Sequence, residues 1–291
     1  MPDTLTSMPC SPVAAITDEF SPDLETAARA MASLGMAGAE LRMVSGKNII
    51  DLTDQEVDRA VTILRAHGLA VVSIASPVFK CVLPDAPEVD TRFQQDVFAA
   101  QHTFADQPRL ARRALEIAGR TGARIVRVFS FWRTVQPEAC FDRIAEALAG
   151  LAELAAPAGV VIGIENEHAC NIGTASEAAR LLARVAHPNL QLIWDPANAL
   201  AAGETPFPGG YAKLPASRIA HVHAKDCRVT GHDPEWVELG TGSIDWTGQI
   251  AALHRDGYVG WFSLETHWRG PTGDKLDASL ICGRNLVRMV G

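Results

Sequence analysis

The chain has 291 residues, of which 47% are hydrophobic and 21% are charged, and its net charge at pH 7 is −8. This composition is typical of a globular protein and excludes a disordered or fibrous one, and without a Lys/Arg cluster we expect no nucleic-acid partner. No apolar segment is long enough for a transmembrane helix and the N-terminal residues lack a signal-peptide pattern, so we expect a cytoplasmic protein with no membrane partner. The six cysteines form no C-x-x-C pair, which indicates reduced thiols.

Short apolar segments rich in Val and Ile alternate with longer amphipathic segments roughly every 25–40 residues, as expected of repeated βα units. None of the apolar segments contains proline, which central strands exclude. The predicted strands are residues 13–18, 39–44, 69–76, 124–131, 160–166, 190–195, 219–226 and 260–266.

Helix start signals lie between these predicted strands. The N-cap and capping-box patterns are Ser21 with Pro22, Thr53 with Glu56, and Thr174 with Glu177. Eight βα repeats without a Pro/Gly/Ser-rich linker predict an α/β fold, a (β/α)₈ TIM barrel forming a single domain over residues 1–291. A doubly wound open sheet is the alternative, although no G-x-G-x-x-G follows the first strand. The long connection at 77–107 is predicted to be a lid or a binding loop.

In a barrel, catalytic residues lie at the C-terminal ends of the strands. Here the last four predicted strands end in three carboxylates and one imidazole, which are Glu165, Asp195, His223 and Glu265. Such groups at one mouth would repel each other unless a cation lies among them, so the pattern predicts a divalent metal site. The alternative for each residue alone is a helix cap or a pair with a nearby Lys or Arg. Glu167 competes with Glu165, and His221 competes with His223; we prefer Glu165 because it still lies in the strand, and His223 because it lies nearer the strand end.

Other polar or aromatic residues near the strand ends are weaker candidates for substrate binding. Lys225 follows His223 on the same face and would hold a substrate oxygen or form a surface salt bridge. Arg42 and Lys80 would bind a carboxylate or phosphate group, or pair with local acids. Trp132, together with Phe131 and Trp268, would form an apolar wall for a sugar ring or pack in the core.

Several motifs resemble the xylose-isomerase-like barrel superfamily of sugar isomerases and epimerases. They are GIENEH, WDPANA, HVHAKD and ELGTGSIDWTGQIAALHRDGYVGWFSLETHW, while ITDEF, ELRMVSGKN and SIASPVFK resemble the early strands of bacterial members. The resemblance covers nearly the whole chain. It implies that Glu165, Asp195, His223 and Glu265 bind one divalent cation, most often Mn²⁺, with Mg²⁺, Co²⁺ or Zn²⁺ as alternatives, and that the protein is a homodimer or homotetramer.

A cation in such a site chelates the carbonyl and the adjacent hydroxyl of a sugar, so that the proton between them becomes acidic. Glu165 and Glu265 are then expected to act as base and acid as well as ligands. The resemblance to ketose 3-epimerases implies an isomerase or epimerase acting on a keto sugar. The alternative is a dehydratase or lyase acting on a keto-cyclitol or 3-keto glycoside, since the same enediolate can lose a β-hydroxyl.

Two departures from relatives limit the choice of activity. Asn198, a candidate substrate-binding residue, stands where ketose epimerases carry a histidine three residues after the ligand Asp. The superfamily also contains abasic-site endonucleases, which hold three zinc ions with extra histidines. SIASPVFK and RVFSFW contain no histidine, and the net charge of −8 also disfavours a DNA substrate, so the nuclease is a remote alternative.

Overall fold

In a computed structural model of the chain, eight parallel strands close into a barrel with helices between them. The structure describes residues 11–93, 102–230 and 233–291. In chain order the strands are β1 (Val13–Ile16), β2 (Gly38–Leu41), β3 (Met43–Val44), β4 (Lys47–Asn48), β5 (Ala70–Ile74), β6 (Ile125–Val128), β7 (Val161–Glu165), β8 (Leu190–Trp194), β9 (Ile219–Ala224), β10 (Asp226–Thr230), β11 (Asp233–Val237) and β12 (Trp261–Leu264). The barrel order is β1, β2, β5, β6, β7, β8, β9, β12, and β12 pairs with β1. The predicted TIM barrel is therefore confirmed.

Each predicted strand range overlaps one barrel strand and runs past its end. The range 13–18 enters a short helix at Thr17–Phe20, and two other ranges reach a further strand. The range 39–44 continues into β3, and the range 219–226 reaches the first residue of β10. Strands β3–β4 and β10–β11 form separate antiparallel hairpins outside the barrel sheet. The sequence does not mark either boundary, because side chains still alternate with a period of two when the chain leaves the barrel and enters a hairpin.

Nine α-helices occur in the described ranges. They are α1 (Thr17–Phe20), α2 (Leu24–Ser33), α3 (Asp54–Ala66), α4 (Gln107–Thr121), α5 (Phe141–Ala155), α6 (Ala175–Arg184), α7 (Pro196–Ala201), α8 (Trp246–Arg255) and α9 (Lys275–Val290). None of these helices is both long enough and apolar enough to cross a bilayer.

Two of the three predicted helix starts are confirmed. Thr53 and Thr174 each form a capping box with the glutamate three residues later. The Ser21 prediction is wrong: Asp23 is the N-cap of α2, and its side chain accepts a hydrogen bond from the Thr26 amide at 2.9 Å. The Ser21 hydroxyl instead accepts from the Asp23 amide at 3.1 Å, so the helix begins after Asp23.

The connection predicted as a lid or binding loop is described only in part, because residues 94–101 lie outside the described residues. Residues 78–90 run beside the chain that follows β6. The Val78 carbonyl accepts a hydrogen bond from the Phe129 amide, and the Glu88 carbonyl accepts one from the Val135 amide, both at 2.9 Å. This places the segment near the C-terminal end of the barrel, and its role as a lid stays a prediction. Five cysteines are buried and form no disulfide, while Cys10 lies outside the described residues.

Close packing of the barrel wall requires glycine at particular strand positions. A Cβ atom on Gly163 of β7 would lie 2.7 Å from the Ile193 side chain on the neighbouring β8 and 3.0 Å from Ile125 on β6. Real Cβ atoms do not approach other heavy atoms this closely, so adding one methyl group there would force the strands apart.

We predict that Gly163→Ala destabilises the protein by about 1–3 kcal/mol, the usual cost of overpacking a core. The matched control is Gly119→Ala in the exposed part of α4, where an added Cβ has nothing within 4 Å. That control should stabilise the protein by up to about 1 kcal/mol, because alanine favours helix over glycine. Urea unfolding of both variants measures the difference; equal effects would contradict the packing argument.

Candidate metal centre

The four strand-end residues selected from the sequence converge at the C-terminal mouth of the barrel. Glu165, Asp195, His223 and Glu265 each offer one ligand atom, and these atoms all lie within 4.8 Å of one another. All four side chains are buried. They belong to the contiguous run β7, β8, β9 and β12, so the two glutamates lie on the outer strands and flank Asp195 and His223.

Asp195 is fixed by the start of a helix and by the neighbouring strand end. It is the N-cap of α7, and its Oδ1 accepts a hydrogen bond from the Asn198 amide at 2.9 Å. The Asn166 side chain accepts from the Asp195 amide and donates to the Asp195 carbonyl, both at 2.8 Å. Asp195 is therefore both a helix cap and a member of the cluster. Its Oδ1 caps the helix, which leaves Oδ2 for the cluster.

Lys225 is the nearest cation to Asp195. Its Nζ lies 2.7 Å from Asp195 Oδ2 and 2.8 Å from Glu265 Oε2, and the side chain is buried. The surface salt bridge considered for Lys225 is therefore wrong: the salt bridge is inside the barrel mouth. The amine is aligned to donate a hydrogen bond to Glu265, whereas Asp195 Oδ2 has no aligned donor.

Two arginines add to this charge compensation. Arg127 Nη1 lies 3.3 Å from Glu165 Oε2 and 3.6 Å from Glu265 Oε1, and Arg42 Nη1 lies 3.1 Å from the same Glu265 oxygen. The alternative of pairing with Lys or Arg therefore holds for Glu165, Asp195 and Glu265. The chain supplies positive charge of its own to the cluster, as buried carboxylates require.

Arg42 and Lys80, proposed as anion-binding residues, both pair with acids of the chain. The Arg42 guanidinium also contacts Asp18, at 2.8 Å, and Glu19. Lys80 Nζ lies 3.7 Å from Glu167 Oε2 and 4.2 Å from the centre of the Phe129 ring. These contacts agree with the alternative of local ion pairs.

Asn198 and Trp132 differ in how closely they approach the cluster. Asn198 Nδ2 donates to Glu165 Oε1 at 3.3 Å, and its Oδ1 lies 3.0 Å from His168 Nδ1. Asn198 therefore connects a ligand candidate to a histidine that the sequence analysis did not select. Trp132 is 7% exposed and packs in a small cluster with Phe129, Ala169 and Cys170, which agrees with the core-packing alternative.

Burial and neighbouring charges move the pKa values of the cluster in different directions. Burial raises the pKa of Asp195 to about 6, although Lys225 lowers it. Burial also acts to raise the pKa of Glu265, but Lys225 and His223 outweigh it and hold that pKa well below its usual range. Burial lowers the pKa of His223, yet the carboxylates around it raise it well above the ordinary value. When no metal is bound, Glu265 is therefore ionised and His223 carries a proton.

Glu40, at the end of β2, is a further site residue that the sequence analysis missed. Its Oε1 lies 2.9 Å from His221 Nε2 and 3.1 Å from His223 Nε2, and all three side chains are fully buried. This contact leaves His223 Nδ1 facing the four-residue cluster, 3.0 Å from Glu165 Oε1. Glu40 thus resembles the carboxylate partners that orient metal-binding histidines in other proteins. A carboxylate inside a strand that is otherwise apolar, GAEL, is the sequence signal by which Glu40 could have been found.

Comparison with known proteins defines the class. The sequence model of the xylose isomerase-like TIM barrel family matches residues 28–286, so the chain belongs to this family. No curated protein sequence gives a significant match.

Solved structures show the same fold at low sequence identity. A structure of the IOLI protein with bound zinc has a TM-score of 0.73 and 16% identity, and covers 96% of this chain and 98% of its own. A probable 3-DHS dehydratase, AsbF from Bacillus anthracis, has a TM-score of 0.69 and 17% sequence identity, and the match covers 92% of this chain and 97% of AsbF. A D-psicose 3-epimerase solved in the presence of D-fructose has a TM-score of 0.64 and 17% sequence identity, and the match covers 91% of this chain and 89% of the epimerase.

One similar structure is much longer than this chain. It is a xylose isomerase-like TIM barrel/4-hydroxyphenylpyruvate dioxygenase fusion protein, with a TM-score of 0.67 and 19% identity. The match covers 92% of this chain but only 41% of the fusion protein. The solved structures therefore include an epimerase and a probable dehydratase on the same barrel.

We predict that Lys225→Met destabilises the metal-free protein by about 3–5 kcal/mol, because removing one partner of a buried ion pair leaves carboxylates uncompensated. The control is Lys213→Met, since the Lys213 side chain is 49% exposed and pairs with Glu204 at 2.8 Å. A surface pair of this kind contributes less than about 1 kcal/mol. Urea unfolding in the presence of a chelator makes the comparison, and a similar small loss in both variants would show that Lys225 does not balance the cluster.

Proposed function

We propose that the protein is a divalent-metal-dependent sugar isomerase or epimerase that acts on a keto sugar or sugar derivative by removing the proton next to the carbonyl. The observation that carries this proposal is the buried cluster of Glu165, Asp195, His223 and Glu265 at four consecutive strand ends. Membership of the xylose isomerase-like family supports it. The predictions of a cytoplasmic homo-oligomer and of one domain over residues 1–291 stay predictions.

The donor set fits a divalent cation. Glu165 Oε2 and Asp195 Oδ2 are buried and accept no aligned hydrogen bond, although each lies in an ion pair, with Arg127 at 3.3 Å and with Lys225 at 2.7 Å. Buried carboxylate oxygens in this state can also take a metal ion as a partner. Carboxylate oxygens with one imidazole suit Mn²⁺, with Mg²⁺, Co²⁺ and Zn²⁺ as alternatives. When bound, the metal supplies Lewis acidity toward the substrate carbonyl and its neighbouring hydroxyl.

The side chains around the cluster supply the proton transfer. Glu165 and Glu265 lie on the outer strands of the four, so they reach a substrate carbon from opposite sides, as an acid/base pair requires. Arg42 and Lys225 hold Glu265 ionised, ready to accept a proton. Glu165 is the second proton-transfer residue. Asn198 and Lys225 are in place to bind substrate oxygens.

A dehydratase or lyase is the second candidate, and the buried ammonium of Lys225 favours it. A β-hydroxyl leaving from the enediolate needs a proton or a hydrogen-bond donor, and Lys225 Nζ lies within 2.8 Å of cluster oxygens. The probable 3-DHS dehydratase among the similar structures agrees with this option. Both candidates share the first step, which is removal of the proton next to the carbonyl.

That shared step is tested by proton exchange in D₂O, followed by NMR, with Mn²⁺-loaded protein and a panel of ketohexoses and keto-cyclitols. We predict exchange by the native protein and a loss of at least about 10²-fold in Glu165→Gln and Glu265→Gln, the usual contribution of a general base. Glu167→Gln is the matched control and should retain exchange within about tenfold.

Retained exchange in both ligand variants would contradict the proposed roles of the two glutamates. Exchange followed by water loss would assign the dehydratase, and exchange with inversion or carbonyl transfer would assign the epimerase or isomerase.

A further inference from the structure

Four aromatic side chains form a continuous row at the mouth of the barrel. The ring centres of Phe93 and His168 are 6.2 Å apart, those of His168 and Trp236 are 6.2 Å apart, and those of Trp236 and His267 are 4.8 Å apart. The Trp236 and His267 rings are inclined by only 30°. All four residues are partly exposed.

The row passes next to the candidate metal centre. His168 follows Glu165 by three residues, and His267 follows Glu265 by two, so the row connects the segments after the two outer ligand strands. Between them, the Trp236 ring centre lies 5.5 Å from Lys225 Nζ, the amine that contacts Asp195 and Glu265. Trp236 therefore lies beside the cluster at which we propose that the substrate binds.

Trp236 is held on a rigid element. It lies on β11, opposite Cys227 of β10, and β10 begins immediately after Lys225. The buried Asp226 carboxylate accepts hydrogen bonds from four backbone amides, those of Cys227, Gly240, Gly242 and Ile244, at 2.9–3.2 Å. A Cβ on Gly242 would lie 2.1 Å from this carboxylate, so the close packing of the backbone around Asp226 requires glycine at position 242. The backbone that carries Trp236 is thus held by contacts within the chain.

We infer that Trp236 is a specificity-determining residue, the platform on which the ring of a cyclic substrate stacks while its oxygens face the cluster. This inference rests on the proposed function and narrows its substrate class to pyranose or cyclitol rings. Such rings with equatorial hydroxyls expose C–H bonds on both faces, and an indole buries that apolar face well. An open-chain polyol has no flat face and loses more conformational freedom on binding.

The test compares two uncharged polyhydroxy probes, methyl β-D-glucopyranoside and D-glucitol, by calorimetric titration of Mg²⁺-loaded protein. The native protein should bind the pyranoside at least about tenfold more tightly than the open-chain polyol, the scale of one aromatic stacking contact. Trp236→Leu keeps apolar bulk but removes the flat ring, and should lower pyranoside affinity about tenfold while changing D-glucitol affinity less than about twofold.

Two further variants separate stacking from folding. Trp236→Phe keeps an aromatic face and should retain pyranoside affinity within about threefold. Phe104→Ala removes an aromatic ring that is 43% exposed and lies outside the row, and should change neither affinity. Equal losses for both probes in Trp236→Leu, no loss for either, or no pyranoside binding by metal-loaded native protein would overturn the inference. Metal content measured on the same samples tests the proposed function separately, because a native protein that binds no divalent metal contradicts that function whatever Trp236 does.

Discussion

The architecture of the mouth depends on one constraint, the compensation of buried carboxylates by cations from distant parts of the chain. The single carboxylate of Glu265 is contacted by three cations, Arg42, Arg127 and Lys225, which come from three different strand ends. These contacts form only when the barrel is closed, because β12 must pair with β9 on one side and with β1, next to β2, on the other. The site is therefore complete only in the closed barrel, where β2, β6, β7, β8, β9 and β12 each contribute side chains at their C-terminal ends.

Much of the fold could be predicted because it is encoded locally. Each barrel strand is a short apolar segment, and the capping boxes at Thr53 and Thr174 need only residues three apart. Catalytic residues of such barrels lie at the C-terminal strand ends, and this rule was enough to select Glu165, Asp195, His223 and Glu265, whose ligand atoms lie close together. The contacts of Lys225 and Arg127 could not be predicted in the same way. Arg127 and Glu265 are far apart in sequence, and no local sequence pattern predicts which cation pairs with which acid across the barrel.

The cations in the cluster also bear on how the site would work. Lys225 lies between two ligand candidates and the Trp236 ring, so one ammonium connects the acids with the aromatic row. Glu40 acts from the opposite side through His223. The ligand candidates are therefore oriented by contacts on both sides, an arrangement expected of a preorganised site.

The central claim is that the four strand-end residues bind one divalent ion. It is tested most directly by diffraction from crystals grown with Mn²⁺, using anomalous scattering to locate the metal. The account predicts one peak per chain, within about 2.0–2.4 Å of oxygens of Glu165, Asp195 and Glu265 and of His223 Nδ1, with the Lys225 amine beside it. A peak elsewhere, or no peak while Lys225 keeps both of its ion pairs, would contradict the account.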